Sequence, residues 1–244
     1  MIEVKSLHKQ FGSVTAVDDV SFQAADGVVT GLLGPNGAGK TTTLRILTTL
    51  VAPDRGEALI DGVSVAADPV GARRRIGVLP DARGLYPRLT AREHIRYAGE
   101  LHGLARGSLT ARIDSLIDLL DMRGIADRRA EGFSHGERVK VALARALVHA
   151  PRNVMLDEPT NGLDVMSTRA VRDLIRRLRD DGTCVLFSSH VMQEVSALCD
   201  RIVIIARGRV LADGTPEEIR ARAGKDNLEE AFVAVIGSDQ GLVQ

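Results

Sequence analysis

From Ile2 the stretch IEVKSLHKQFG alternates apolar and polar positions, and that two-residue period predicts a half-exposed edge strand. VDDVSFQA and EALIDGVSV read as further short strands set off by Gly and Asp turns, so an antiparallel first region is expected. GVVTGLLG breaks the alternation. It is apolar almost throughout, as a parallel strand covered on both faces must be. TTTLRILTTLVAPDRG follows as a helix expected to stop near Pro53 and Gly56, and RIGVLP as a short strand closed by Pro80. From about Leu85 to Val148 the period lengthens to that of helices. Thr90 and Glu93 have the spacing of a capping box, and Leu109, Ile113, Leu116, Ile117 and Leu120 share one face. FSHGERVKVALARALV, from Phe133, joins a tight polar turn to an amphipathic helix, a start suited to an anion. NVMLDEP and CVLFSSH read as buried strands and RIVIIARGRVLADG as a strand and hairpin. TPEEIRARAG reads as a helix capped by Thr215 with Pro216 in its first turn. The tail from Lys225 is expected to be a short appendage, packed or free.

Composition sharpens the fold class. Of 244 residues, 44% are hydrophobic but only 3% aromatic, with no Trp. The core must therefore be aliphatic, which suits an α/β protein with buried parallel strands. Lys plus Arg and Asp plus Glu both number 32, so the formal net charge is zero and no nucleic-acid partner is expected. Arg73, Arg74 and Arg75 form the one tight basic run and read as a solvated lead into a strand. Cys184 and Cys199 lack metal-ligand spacing and read as buried free thiols of a reducing compartment. MIEVKSLHKQFG has no apolar core of a leader, and no apolar run reaches the roughly 18 residues needed to cross a bilayer. Any membrane role is expected to come through a partner.

The chemistry concentrates in three places. GPNGAGKT, residues 34–41, matches the phosphate-loop pattern G-x-x-x-x-G-K-[ST], preceded by a strand and followed by a helix. Gly34, Gly37 and Gly39 permit the turns that aim successive N–H groups at phosphate oxygens, within a cradle of Pro35, Asn36, Ala38 and Thr42. Lys40 would neutralise the β- and γ-phosphates of ATP, and the Thr41 hydroxyl would ligate Mg²⁺. Asp157 ends the apolar strand NVMLD, where a carboxylate can hold the Mg²⁺ shell. Glu158 follows and can polarise a water for in-line attack. His190 ends CVLFSSH, where a polar ring can contact the γ-phosphate or that water.

In this order the motifs resemble those of the ATPase subunits of ABC transporters, over about residues 2–214. The resemblance implies a P-loop NTPase core of the RecA/F1-like kind, with an antiparallel β subdomain and an inserted α-helical subdomain. It implies an ATPase domain over residues 1–214, its helical subdomain at about 85–140, and a C-terminal helical extension over 215–244. It makes VMLDEP the strand bearing the catalytic glutamate, His190 the switch histidine, and NGLD the D-loop, with Gly162, Leu163 and Asp164. Phe11 takes the place of the aromatic that stacks on adenine. FSHGE resembles the family's signature loop: Ser134 and Gly136 are kept, while Phe133, His135 and Glu137 depart from Leu, Gly and Gln. In the family this loop meets the nucleotide of the opposite subunit, which implies a head-to-tail homodimer around two ATP. Glu137 can face that phosphate or turn back on its own helix start. Asp81 stands where the family has a Mg²⁺-touching Gln, and a carboxylate there can also serve as a ligand. VLPDARGLYPRLTARE, LFSSHVMQEVSALCDRIVIIARG and DNLEEAFVAVIG further resemble the sodium-exporting, NatA-like branch. That implies a separate ABC-2-type permease, Na⁺ export, and a cytoplasmic position on the inner face of the membrane. The rival expectations are a soluble ABC-family ATPase remodelling a ribosome, DNA or protein complex, a small-molecule kinase, and an assembly module that scarcely hydrolyses.

Overall fold

The computed structural model describes residues 1–80 and 84–239. Two sheets and two sets of helices divide the chain. β1 (Ile2–Phe11), β2 (Val14–Ala24), β4 (Arg55–Ile60) and β5 (Val63–Ser64) form an antiparallel sheet in the order β2-β1-β4-β5. β3 (Val29–Leu33), β6 (Ile76–Leu79), β7 (Asn153–Asp157), β8 (Cys184–Ser189), β9 (Arg201–Ala206) and β10 (Arg209–Gly214) form the second, ordered β10-β9-β3-β8-β7-β6. Its five strands from β9 to β6 are parallel, and β10 returns antiparallel beside β9.

The parallel strands are buried on both faces, and alternate residues serve two cores. Val154 and Leu156, Val185 and Phe187, and Ile202 and Ile204 face the helices. Met155, Leu186, Val203 and Ile205 face the antiparallel sheet, with α1 (Lys40–Leu47) packed between through Leu44, Ile46 and Leu47. EALIDGVSV is therefore two strands, β4 and β5, joined by a turn in which Asp61 and Gly62 both have positive φ.

Past the short α2 (Pro69–Arg73) and β6 come α3 (Ala91–Leu101), α4 (Arg106–Leu119) and α5 (His135–Leu147). The helical stretch thus opens at Ala91 rather than Leu85. Thr90 caps α3 in a full capping box with Glu93, and Leu109, Ile113, Leu116 and Ile117 form the buried face of α4. α1 stops at Leu47, short of Pro53, because Thr49 turns left-handed with φ +63° and Thr48 closes the helix. Arg73 ends α2 and hydrogen-bonds Thr49, and Arg74 and Arg75 carry the basic run on to β6 at Ile76. α6 (Val165–Asp180) and α7 (Met192–Leu198) cover β8, which the strand pattern alone did not predict. After α8 (Pro216–Ala223) the tail is not free. α9 (Leu228–Asp239) buries Leu228 and Ala231 in the main core and packs on α8, α7 and β10. Both cysteines are free and buried, and burial pushes the Cys184 thiol up to about 12. Among the described residues no helix is long and apolar enough to cross a membrane.

Candidate nucleotide site

β3, β7 and β8 are neighbours in register, so their C-terminal ends come out together: Leu33 pairs with Ser189, and Asp157 with Ser188. Crevices at such strand ends are where open parallel sheets bind ligands. The loop after β3 is residues 34–39, and at its two ends, Gly34 and Gly39, there is no room for a side chain. A Cβ on Gly34 would lie 2.1 Å from the Ile205 carbonyl oxygen, and one on Gly39 would lie 2.4 Å from that of Ala16. Gly39 also has φ +106°, open only to glycine. Pro35, Asn36 and Gly37 are exposed at the loop's rim, whereas Ala38 is buried beneath it.

Lys40 opens α1 and folds back into the loop, its Nζ donating to the carbonyls of Gly34 at 2.6 Å and Pro35 at 3.0 Å. Burial lowers its pKa, opposed by the Glu158 and Asp157 carboxylates, which raise it. Thr41 and Thr42 are half-buried in the same first turn. Thr41 Oγ1 lies 3.5 Å from Asp157 Oδ1, and Ser188 Oγ donates to that same oxygen at 2.5 Å. A hydroxyl and a carboxylate facing each other beside a phosphate loop make a hard oxygen pair that fits Mg²⁺, which keeps most other positions for water and phosphate. Among the described residues no cluster of three or more His, Cys, Asp or Glu could hold a metal by itself, so such an ion needs the nucleotide's oxygens.

Glu158 has φ +47°, a left-handed conformation uncommon outside glycine, stabilised by Ser188 Oγ accepting its N–H at 3.1 Å. The turn throws its carboxylate toward β8, where His190 Nδ1 lies 2.9 Å from Oε2. The strand ends thus bring together Lys40, Thr41, Asp157, Glu158 and His190. Ser188 was not singled out in the sequence, because nothing in a run of strand residues shows which one will face a neighbour's carboxylate.

The FSHGE turn lies elsewhere in the chain's contacts. Ser134 and Glu137 form a complete capping box at the start of α5: Ser134 N donates to Glu137 Oε2 at 2.7 Å, and Ser134 Oγ accepts from Glu137 N. Arg128 holds the other Glu137 oxygen at 3.2 Å. Of its two possible orientations, Glu137 has taken the one that turns back on its own helix. His135 Nε2 lies 2.9 Å from the Asn161 carbonyl, and a Cβ on Gly136 would meet Ser167 Oγ at 2.7 Å. The turn therefore packs on residues 161–167. There Gly162 has φ +71°, Leu163 is half-buried, and Asp164 caps α6 through Ser167, which lowers its pKa.

Phe11 is 49% exposed at the tip of the β1–β2 hairpin, with Lys9 Nζ 5.4 Å from its ring centre. The same hairpin abuts the phosphate loop through Ala16 and Gly39. Asp81 lies outside the described residues. A hollow of about 350 Å³ opens between α3, α5 and β6, edged by Leu50, Tyr97, Leu101, His102 and Arg145. An adjoining hollow of about 360 Å³ shares Thr48, Leu50, Val78 and Pro80 with it and reaches Asp157.

The family model described as ABC transporter matches residues 17–161. ATP-binding protein NatA of Bacillus subtilis (strain 168) is 43% identical over 222 residues, 91% of this chain and 90% of the relative. The chain belongs to the ABC transporter family. It is an ATP-binding subunit and an ATP hydrolase of that family. Linearmycin resistance ATP-binding protein LnrL of the same bacterium is 34% identical, over 98% of this chain and 79% of that one. Among solved structures, an ATP-binding subunit of an ABC transporter superposes with TM-score 0.90 at 31% identity, covering 97% of this chain and 99% of the other. A dimeric ATP-binding cassette in a post-hydrolysis state with ADP and Pi gives 0.80 at 25% identity, covering 88% and 98%. As in other ABC cassettes, the α/β fold here carries two sheets with helices.

Proposed function

We propose that this chain powers Na⁺ export through a separate ABC-2-type permease, working as a homodimer at the inner face of the membrane. Residues 1–214 would be the nucleotide-binding domain, with its helical subdomain at about 85–140 and a C-terminal extension over 215–244. The observation that carries the ATPase half is the meeting of Lys40, the Thr41–Asp157 pair and the Glu158–His190 pair at adjacent strand ends.

In this reading residues 34–42 wrap the triphosphate, and Lys40 leaves its two carbonyls to engage the β- and γ-phosphates. Thr41 and Asp157 would hold Mg²⁺, whose charge offsets that of the phosphates; Asp81 is a further candidate ligand. Glu158 accepts the proton of the attacking water, and His190 holds Glu158 and the γ-phosphate side in place. Phe11 offers an exposed face to adenine, a stack contributing about 1–3 kcal/mol by analogy with bases. Ser134, through its hydroxyl, and Gly136, through its backbone N–H, would present the start of α5 to the partner's nucleotide, while Glu137 closes the capping box beneath them. The D-loop residues Gly162, Leu163 and Asp164 link that turn to the catalytic strand end. The permease would dock in the hollow edged by Leu50, Tyr97 and Leu101, which runs on to Asp157 and so joins docking to nucleotide state. Na⁺ as cargo rests on the similarity to NatA alone.

The test uses Glu158→Gln. Turnover should fall about 10²–10⁴-fold with ATP binding retained, and ATP should convert the variant from monomer to dimer in light scattering. Near-normal hydrolysis would remove Glu158 from the base role, and a monomer that persists even beside its permease would remove the paired arrangement. With the permease in vesicles, ATP-driven ²²Na⁺ flux supports the cargo, and flux of an amphipathic drug without Na⁺ movement replaces it.

A further inference from the structure

One buried carboxylate takes no part in the chemistry above. Glu194 lies on α7 and is 7% exposed. Its Oε1 accepts from Thr160 Oγ1, and its Oε2 accepts from Ser189 Oγ at 3.2 Å. Ser189 Oγ in turn accepts from Val191 N at 3.0 Å. These partners bracket the catalytic pair. Thr160 stands two residues beyond Glu158, and Ser189 stands one residue before His190. A single side chain therefore ties together the two segments whose carboxylate and imidazole meet 2.9 Å apart.

Burying a carboxylate is unfavourable unless its oxygens are satisfied, and here both are taken by hydroxyls from different strand ends. Such a bridge restrains separation. If either segment drifts, Glu194 loses one of its bonds inside the protein, where water does not replace it. Meanwhile His190 is partly exposed and Glu158 sits on a left-handed turn, so neither holds the pair in register unaided.

We infer that Glu194 is a positioning residue for ATP hydrolysis: it clamps the segments after β7 and β8 so that Glu158 and His190 address one water. The inference rests on the reading of Glu158 as the base. It predicts a loss in the chemical step and not in nucleotide capture, because neither Thr160 nor Ser189 belongs to residues 34–42.

The experiment measures kcat and KM for ATP in Glu194→Ala and Glu194→Gln, alone and combined with His190→Ala. Displacing a catalytic group by about 1 Å can cost roughly 10²-fold. Glu194→Ala should therefore lower kcat about ten- to a hundredfold and leave KM within about twofold. Glu194→Gln keeps the length, one carbonyl acceptor and a donor for Ser189, and should restore kcat to within about threefold. In the His190→Ala background, Glu194→Ala should cost less than about twofold, since a clamp has little effect once its client is gone. A wild-type kcat in Glu194→Ala overturns the inference. So does an equal loss in both backgrounds, which marks general damage, or a KM that rises as kcat falls. Should Glu194→Ala fail to fold, Thr160→Val and Ser189→Ala remove the donors singly and are judged by the same criteria. A dead Glu158→Gln beside a fully active Glu194→Ala defeats this inference alone. An active Glu158→Gln defeats the reading beneath it.

Discussion

Lys40, in the proposed reading, is a residue held ready for a charged ligand. The residue is only 5% exposed, its ammonium is parked on two backbone carbonyls, and burial depresses its pKa against the pull of Glu158 and Asp157. A cation kept desolvated beside a glycine loop gains more from phosphate than a solvated one does, because the cost of stripping its water is already met in the fold. Lys40→Ala is therefore expected to weaken ATP binding about 10²-fold or more, measured by titration with a fluorescent analogue, with the melting temperature little changed. At this scale the sequence was informative where a backbone constraint or a strand end dictates residue type. Gly34, Lys40, Asp157 and Glu158 were legible because tight turns and phosphate chemistry allow few alternatives. Ser188 and Glu194 were not. Their place beside the site comes from which neighbour they meet across β7, β8 and α7, and an isolated Ser or Glu carries no mark of that.

Among the elements, caps and strand periods were readable because they are local. Thr90 with Glu93 and Thr215 with Glu218 form complete boxes, each contributing about 1 kcal/mol to its helix. The early stop of α1 was not readable. Thr48, Thr49 and Leu50 continue a plausible helix, and only the left-handed Thr49, bonded to Arg73 of α2, breaks it. α3, α5 and β6 meet through another non-local device. His149, after α5, stacks on His102 at the end of α3 with ring centres 3.6 Å apart, and its Nε2 donates to the Ile76 carbonyl. Burial, then the neighbouring His102, lowers the His149 pKa from 6.5 to about 4. The folded chain therefore refuses a proton that the unfolded chain accepts between these values. This contribution to stability is complete above about pH 6.5 and is lost as the pH falls toward 4. Chemical denaturation at pH 7 and pH 4.5 should show His149→Gln removing about 2 kcal/mol of the acid-induced loss. Equal pH slopes in the two proteins would exclude His149 as the source.

The whole molecule divides its labour along the parallel sheet. One end carries the phosphate loop, the Glu158–His190 pair and the opening of the groove that runs past Leu50 toward Leu101. Leu50 and Leu101 are each 70% exposed, large apolar groups of the kind that mark a contact surface. Leu101→Asp should leave permease-free ATP turnover within about twofold while abolishing co-purification with the permease; retained co-purification would move the docking surface elsewhere. The opposite end of the sheet holds none of the residues assigned above to the nucleotide. There Asp181 and Gly182 form an exposed turn after α6; Gly182 has φ +83° with open space where a Cβ would stand, its carbonyl accepts from Gly27 N at 3.1 Å, and the hollow beside the turn is lined by Asp26, Pro151 and Arg152. A fluorescent or affinity module spliced between Asp181 and Gly182 is expected to keep ATP turnover within about twofold, which would let the chain be followed at work.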